Sequence, residues 1–390
     1  MSHDLSVYSY SYVTLGESLA WFIGWILILE YLFACSSVAV GWSGYMMSLL
    51  HGWGIDLPQH IARPTLDHLA DGSWVLTGSI INFPAVFIVA VVSAFLIGGI
   101  KQSAFVNNII VVIKVSVILL FIGFGMSYID FNNWAPYIPE NSGEFGHFGW
   151  SGILRGAGVV FYAYLGFDAL STTAQETRNP QKDMPKGILI SLLICAVLYI
   201  CVTAVLTGIV NYKELNVPAP IALAIDRTGE GLAWLSPFVK LGAIAGLSSV
   251  ILVMMLGQSR IYYAISRDGL LPKVFSRVHR RRRTPQNATI FSCIITGLVA
   301  GLFPLHVLSE LVSIGTLMAF TIVCLSVIIL RKTQPELKRP FKVPFSPFIP
   351  ALGAAVCLLQ MVSLPWVTWF RLIIWMMGGI NHLFWVWQAT

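Results

Sequence analysis

Ten stretches of this 390-residue chain run for about 20 residues with almost no charge, the length an α-helix needs at 1.5 Å per residue to cross a hydrocarbon core of about 30 Å. They cover residues 15–49, 78–100, 106–128, 153–177, 187–210, 234–264, 287–305, 307–331, 347–364 and 366–387. Lipid offers no water to an unpaired backbone amide, so such a stretch crosses only as a helix. The sequence therefore predicts an all-α integral membrane protein of about ten transmembrane helices. Composition agrees. The chain is 56% hydrophobic and 11% charged, with a mean hydropathy of +0.77, where a soluble domain carries roughly 25% charge. The first stretch is longer than one membrane thickness, so it is expected to tilt or project.

Basic residues hold short loops on the cytoplasmic side. Alternate loops carry Lys101, then Arg178, Lys182 and Lys186, then a cluster from Arg260 to Arg283, then Arg331 to Lys342; the other loops are nearly free of them. Both termini are thereby predicted to be cytoplasmic. Residues 1–14 lack the basic start and small-residue cleavage site of a secretory signal, so insertion is expected to use the internal apolar segments. The run "RVHRRRRTP" at 277–285 lies between two spans and reads as a topology signal, not a nucleic-acid patch. Residues 263–283 read as a short amphipathic element on the membrane surface, with Tyr262, Tyr263, Leu270 and Leu271 toward lipid. The six cysteines have neither disulfide nor C-x-x-C spacing, and no histidine pair has metal-ligand spacing. No metal, cofactor or nucleic acid is expected. Nothing clusters as paired acids, or as a nucleophile with its base, near a membrane face, which argues against an enzyme.

Three places in the spans break the apolar rule. In "YAYLGFDALSTTAQETRNP", residues 162–180, Gly166 loosens the helix and Asp168 is too costly to face lipid. A helix broken in the membrane must line a cavity or pack in protein. Its exposed carbonyls and amides suit a small zwitterionic or charged ligand; a kink with Asp168 bonded to a neighbouring helix is the alternative. Lys114, in "VNNIIVVIKVSVILLFIGFG", lies about 13 Å into its span, beyond a lysine stem's reach of about 6 Å. It must face the interior. There desolvation favours the neutral amine and a nearby carboxylate the charged one, which suits proton exchange; a permanently paired structural lysine is the alternative. Glu30, in "LILEYLF", is equally deep. It can partner Lys114, contact substrate, or bond across helices. Met254 and Met255 face opposite ways at helical spacing, so one of them can line a cavity, although methionine more often serves as filler.

These residues resemble a family. "YAYLGFDALSTTAQETRNPQKDMPKGI" is similar to the broken sixth helix and following loop of cationic-amino-acid-transporter-type permeases, in the amino acid, polyamine and organocation superfamily. "VNNIIVVIKVSVILLFIG" is similar to their fifth helix, "TLGESLAWFIGWILILEY" and "VAVGWSGY" to their third, and "GQSRIYYAISRDGLLP" to the end of their eighth. The resemblance runs from about residue 7 to about residue 377. It implies a leucine-transporter-like inverted-repeat fold in a single transmembrane domain, residues 1–390. Residues 15–128 would be the remnant of the first repeat, 153–331 the second repeat, and 347–387 two extra helices.

The resemblance further implies that main-chain groups around Tyr162, Ala163, Leu165 and Gly166 bind the substrate amino group, with Phe167 and Asp168 bordering the site and Met254 limiting side-chain size. It implies proton coupling at Lys114, with Glu30 a second candidate. The family's first two helices, including the Gly-rich one that holds the substrate carboxylate, have no counterpart here. The expected function is proton-coupled amino acid uptake, impaired in this N-terminally truncated chain; a non-transporting membrane remnant or interaction subunit is the other expectation. The expected partners are an amino acid, protons and membrane lipid. A cationic substrate and a small neutral one such as alanine both remain open.

Overall fold

The computed structural model describes residues 17–69, 72–99, 104–166, 179–279, 284–333, 335–336 and 343–389. Every one of the ten apolar runs meets a helix. These are α1 (Glu17–Gly52), α2 (Phe83–Gly98), α3 (Ala104–Gly125), α4 (Gly149–Val160), α5 (Pro180–Ile209), α7 (Ser236–Arg267), α8 (Gln286–Leu302), α9 (Leu305–Thr333), α10 (Phe348–Ser363) and α11 (Trp366–Ala389). A short helix, α6 (Pro220–Arg227), lies in the α5–α7 connection, and a two-stranded hairpin, β1 (Leu66–His68) and β2 (Trp74–Leu76), in the α1–α2 connection. Among the described residues, α1, α3, α5, α7 and α9 are each long and apolar enough to cross a membrane alone. The α10–α11 pair qualifies as one span bent by 111°. Its break falls at Leu364, whose extended backbone is what the following Pro365 demands.

Helix α1 is the axis of the bundle. Its 36 residues would extend about 54 Å, and it packs against α2, α7, α8, α9 and α11. Packing in lipid relies on close approach and interhelical hydrogen bonds, because there is no apolar surface to hide from water. Both are present. Ser36 Oγ donates to the Leu32 carbonyl at 2.8 Å and lies 3.3 Å from that of Thr296, whose own hydroxyl bonds the fully buried Gln258. Trp42 Nε1 reaches Ser248 Oγ at 2.9 Å. At the other end Trp25 and Trp375 exchange indole-to-carbonyl bonds of 2.8 and 3.1 Å across α1 and α11. Asn82 caps α2 by accepting from Ala85 N, and also accepts from Ser43 of α1.

The structure corrects the amphipathic element expected at 263–283. The backbone stays in helix α7 as far as Arg267, and Tyr262 and Leu270 are buried, not turned to lipid. Tyr262 stacks with Phe275 and meets Phe291 edge-on, so the segment after α7 folds back under α8. Lys240 is a buried member of α7 whose Nζ bonds Asp226 of α6 and the Ser48 carbonyl of α1.

Candidate functional site

The site begins where α4 stops being an α-helix. Its sequence, GWSGILRGAGVV, is rich in glycine, which weakens a helix by roughly 1 kcal/mol per residue relative to alanine. Gly158 is also a contact residue: a side chain there would press on the Gln360 carbonyl and Leu364. From Phe161 to Tyr164 the chain tightens into a 3-10 turn, closed by the Leu165 amide on the Tyr162 carbonyl. Leu165 is extended, and Gly166 has φ +115°, a conformation open to glycine and strained for any L side chain. The α-helix therefore gives way to irregular backbone over 161–166, where the sequence led one to expect a break near Gly166.

A broken helix leaves carbonyls without amides, and in a membrane side chains must take their place. Two do so here. Tyr199 of α5 donates its hydroxyl to the Ala163 carbonyl at 2.8 Å, with its ring edge-on to Tyr164. Ser313 of α9 donates to the Val159 carbonyl at 2.8 Å. Phe161 meets Phe320 of α9 edge-to-face. The break is thus held from both sides, while Tyr162, Ala163, Leu165 and Gly166 each remain half-buried. Leu165 packs toward the core that contains Ile251 and Met254. Phe167 and Asp168, with the polar residues that follow as far as Arg178, lie outside the described residues.

Lys114 sits on α3, half-buried, with its stem against Gly246 of α7. No described residue makes a hydrogen bond or ion pair with it, Glu30 included. Glu30 is 1% exposed on α1, inside the bundle as the cost of a carboxylate in lipid requires. Both Met254 and Met255 are buried. Among the described residues no group of three or more histidine, cysteine or acidic side chains has the arrangement to hold a metal ion.

Tyr199 and Ser313 were missed in the sequence. The signal for Tyr199 was there: a lone phenol within the apolar run "CAVLYICVT" needs a partner for its hydroxyl. Ser313 carried no such signal, since serine bonds its own helix readily.

Comparison with known proteins adds the family. The profile described as amino acid permease matches residues 1–380. The chain is 44% identical over 374 residues to the methylthioribose transporter of Bacillus subtilis (strain 168), covering 96% of this chain and 77% of that protein. It is 43% identical over 376 residues to the branched-chain amino acid permease BcaP of the same organism, again covering 96% of this chain and 77% of the relative. Over 332 residues it is 37% identical to the vacuolar cationic amino acid transporter 4 of Arabidopsis thaliana, covering 85% of this chain and 53% of that one.

Proposed function

This chain belongs to the amino acid permease family, an integral membrane transporter family and not an enzyme family, and we propose that it carries an amino acid across the membrane together with a proton. The observation that carries the reading is the broken helix at 161–166, held open by Tyr199 and Ser313 from two different helices. Such a break presents main-chain dipoles at membrane depth. The freed carbonyls near Tyr162, Ala163, Leu165 and Gly166 receive the substrate ammonium group. Phe167 and Asp168, next in the sequence, are the further candidates for substrate recognition, and Met254 sets the room for the side chain. The relatives are named for methylthioribose, branched-chain and cationic amino acids, so family membership leaves the side chain open; a buried methionine favours a small one.

Lys114 exchanges the proton. As an ammonium it stands as a cation beside the bundle interior, and as an amine it leaves that interior neutral, so the two states favour different packings of α3 against its neighbours. Glu30 supplies a second acid deep in the scaffold. Helices α1, α2 and α3 run long, short, long, and so do α7, α8 and α9. This recurrence supports an inverted-repeat reading with 15–128 and 153–331 as the repeats and α10 and α11 appended. The basic ends of α7 and α9 face the cytoplasm of a bacterium, as the positive-inside rule favours, and both termini lie on that side.

The test is uptake of radiolabelled alanine, isoleucine and arginine by the purified chain in liposomes, with and without an inward proton gradient. At least one should accumulate faster with the gradient, and Lys114→Ala should remove that acceleration. In Met254→Ser the larger substrates should gain on alanine. Gradient-driven uptake that survives Lys114→Ala would sink the coupling role. Neither uptake nor a substrate-dependent thermal shift for any amino acid would favour a membrane interaction subunit instead.

A further inference from the structure

Lysine stems are flexible, so an amine at a defined place needs something to pin the stem. On α7, Gly242 and Gly246 lie one turn apart on one face, and on α3 so do Lys114 and Val117. The four residues interlock. A Cβ at Gly242 would stand 2.9 Å from Val117 Cγ2, and one at Gly246 would stand 3.0 Å from Lys114 Cε and 3.2 Å from its Cδ and Cγ. Small residues at four-residue spacing let membrane helices approach closely. Here one of the two notches is filled by the methylenes of a charged residue. Among the described residues nothing bonds the Lys114 amine, so contact along the stem is what orders it.

We propose that Gly246 is a positioning residue for Lys114: the absence of a side chain at 246 gives the stem a slot against the α7 backbone, and that slot fixes where the amine is held. The functional weight of this placement rests on Lys114 being the proton-exchanging group. The placement itself does not. The nearest atoms a methyl at 246 meets are all on a flexible stem, which yields and carries the amine with it. A methyl at 242 crowds Val117 to a similar degree, with its nearest atoms all on that residue and none on Lys114. The two glycines therefore separate a change in helix packing from a change in lysine position.

The experiment compares Gly246→Ala with Gly242→Ala in the full chain held in lipid nanodiscs. The readout is the rate at which Lys114 reacts with trace acetic anhydride, followed by mass spectrometry as pH is raised. Gly246→Ala should move the pH of half-maximal reaction by about half a unit or more, roughly three-fold in proton affinity, while Gly242→Ala leaves it in place. Equal movement in both variants, or none in either, overturns the proposal. Should Gly246→Ala fold poorly, Lys114→Ala added to it should restore folding by emptying the slot; failure to restore it also overturns the proposal. Uptake distinguishes the two levels. If the labelling result holds but Lys114→Ala keeps its response to the proton gradient, the coupling role falls and the positioning stands.

Discussion

Helices α1 and α5 are both long apolar spans, yet they occupy opposite places in the fold. The most apolar stretch of α1 has a hydropathy of 1.9 and is 83% buried; that of α5 reaches 2.9 and is 6% buried. The more apolar helix is the less buried one. Lipid is as apolar as leucine, so burial against protein gains nothing from hydrophobicity and depends on packing and polar bonds. Helix α1 accordingly hides Glu30, Ser36, Ser37 and Ser43, whereas α5 turns Leu189, Leu193, Val197 and Ile200 outward. Among the described residues, helix α5 reaches the candidate site through the polar contact of Tyr199 on the Ala163 carbonyl.

The sharpest way to break this contrast is to disturb each helix's surroundings by one side chain. A Cβ at Gly257 of α7 would stand 2.6 Å from Cε1 of Tyr31, a buried residue of α1. Gly257→Leu should therefore cost about 3 kcal/mol, at the upper end for overpacking a filled interior. Leu193→Ala, at a position 67% exposed on α5, should stay within about 0.5 kcal/mol. Equilibrium unfolding in mixed detergent reads both, and similar losses at the two sites would show that α1 is no more a scaffold than α5.

The same contrast explains what the sequence made legible. Helix existence depends on local apolar runs and backbone satisfaction, so the ten runs could be read directly. The buried position of Glu30 and the half-buried one of Lys114 against α7 followed from the cost of charge in lipid, and the break near Gly166 from glycine beside an acid. Burial inside the bundle could not be read that way. Tyr262 and Leu270 have the same character whether they meet lipid or protein, and only the fold shows them buried. Ser313 is separated from Val159 by 154 residues and Tyr199 from Ala163 by 36, so no local pattern announces either bond. The Gly246 slot is invisible for the same reason, since its occupant lies on another helix.

A smaller effect separates the two sides of the break. Tyr199→Phe removes one interhelical hydrogen bond, worth on average about 0.6 kcal/mol in membrane proteins. Ser313→Ala removes another of the same kind from the scaffold side. Each should lower stability by roughly that amount, because each frees a carbonyl that has no water to turn to. If the break is the substrate site, Tyr199→Phe should also weaken amino acid binding by more than its cost in stability, roughly five-fold or about 1 kcal/mol. Thermal melts with and without substrate would measure both quantities. A variant that loses stability but binds normally would reduce Tyr199 to a packing residue.

The weakest expected effect lies outside the spans, where the hairpin docks on the scaffold. Trp74 of β2 packs edge-on to Phe303, with the Arg371 guanidinium 5.4 Å from its ring centroid, and His68 of β1 lies edge-on to Trp74 and 6.2 Å from His306. Glu310 accepts a 2.8 Å bond from Thr368 and faces Arg371 at 3.6 Å. Burial, then the Arg371 charge and His306, hold the His68 imidazole below its ordinary range, against the opposing pull of Glu310 and Asp67. The docked hairpin thus binds fewer protons than a released one. Docking should be complete above the ordinary histidine value near 6.5 and weaken as pH falls below it. Hydrogen exchange at residues 66–76, corrected for the intrinsic rate, should show protection falling below that pH in the native chain and staying level in His68→Gln. Because the titrating group sits in the hairpin and not on α1, exchange in the interior of α1 should not follow. Protection lost in parallel at both places would mean that the hairpin and scaffold open as one unit.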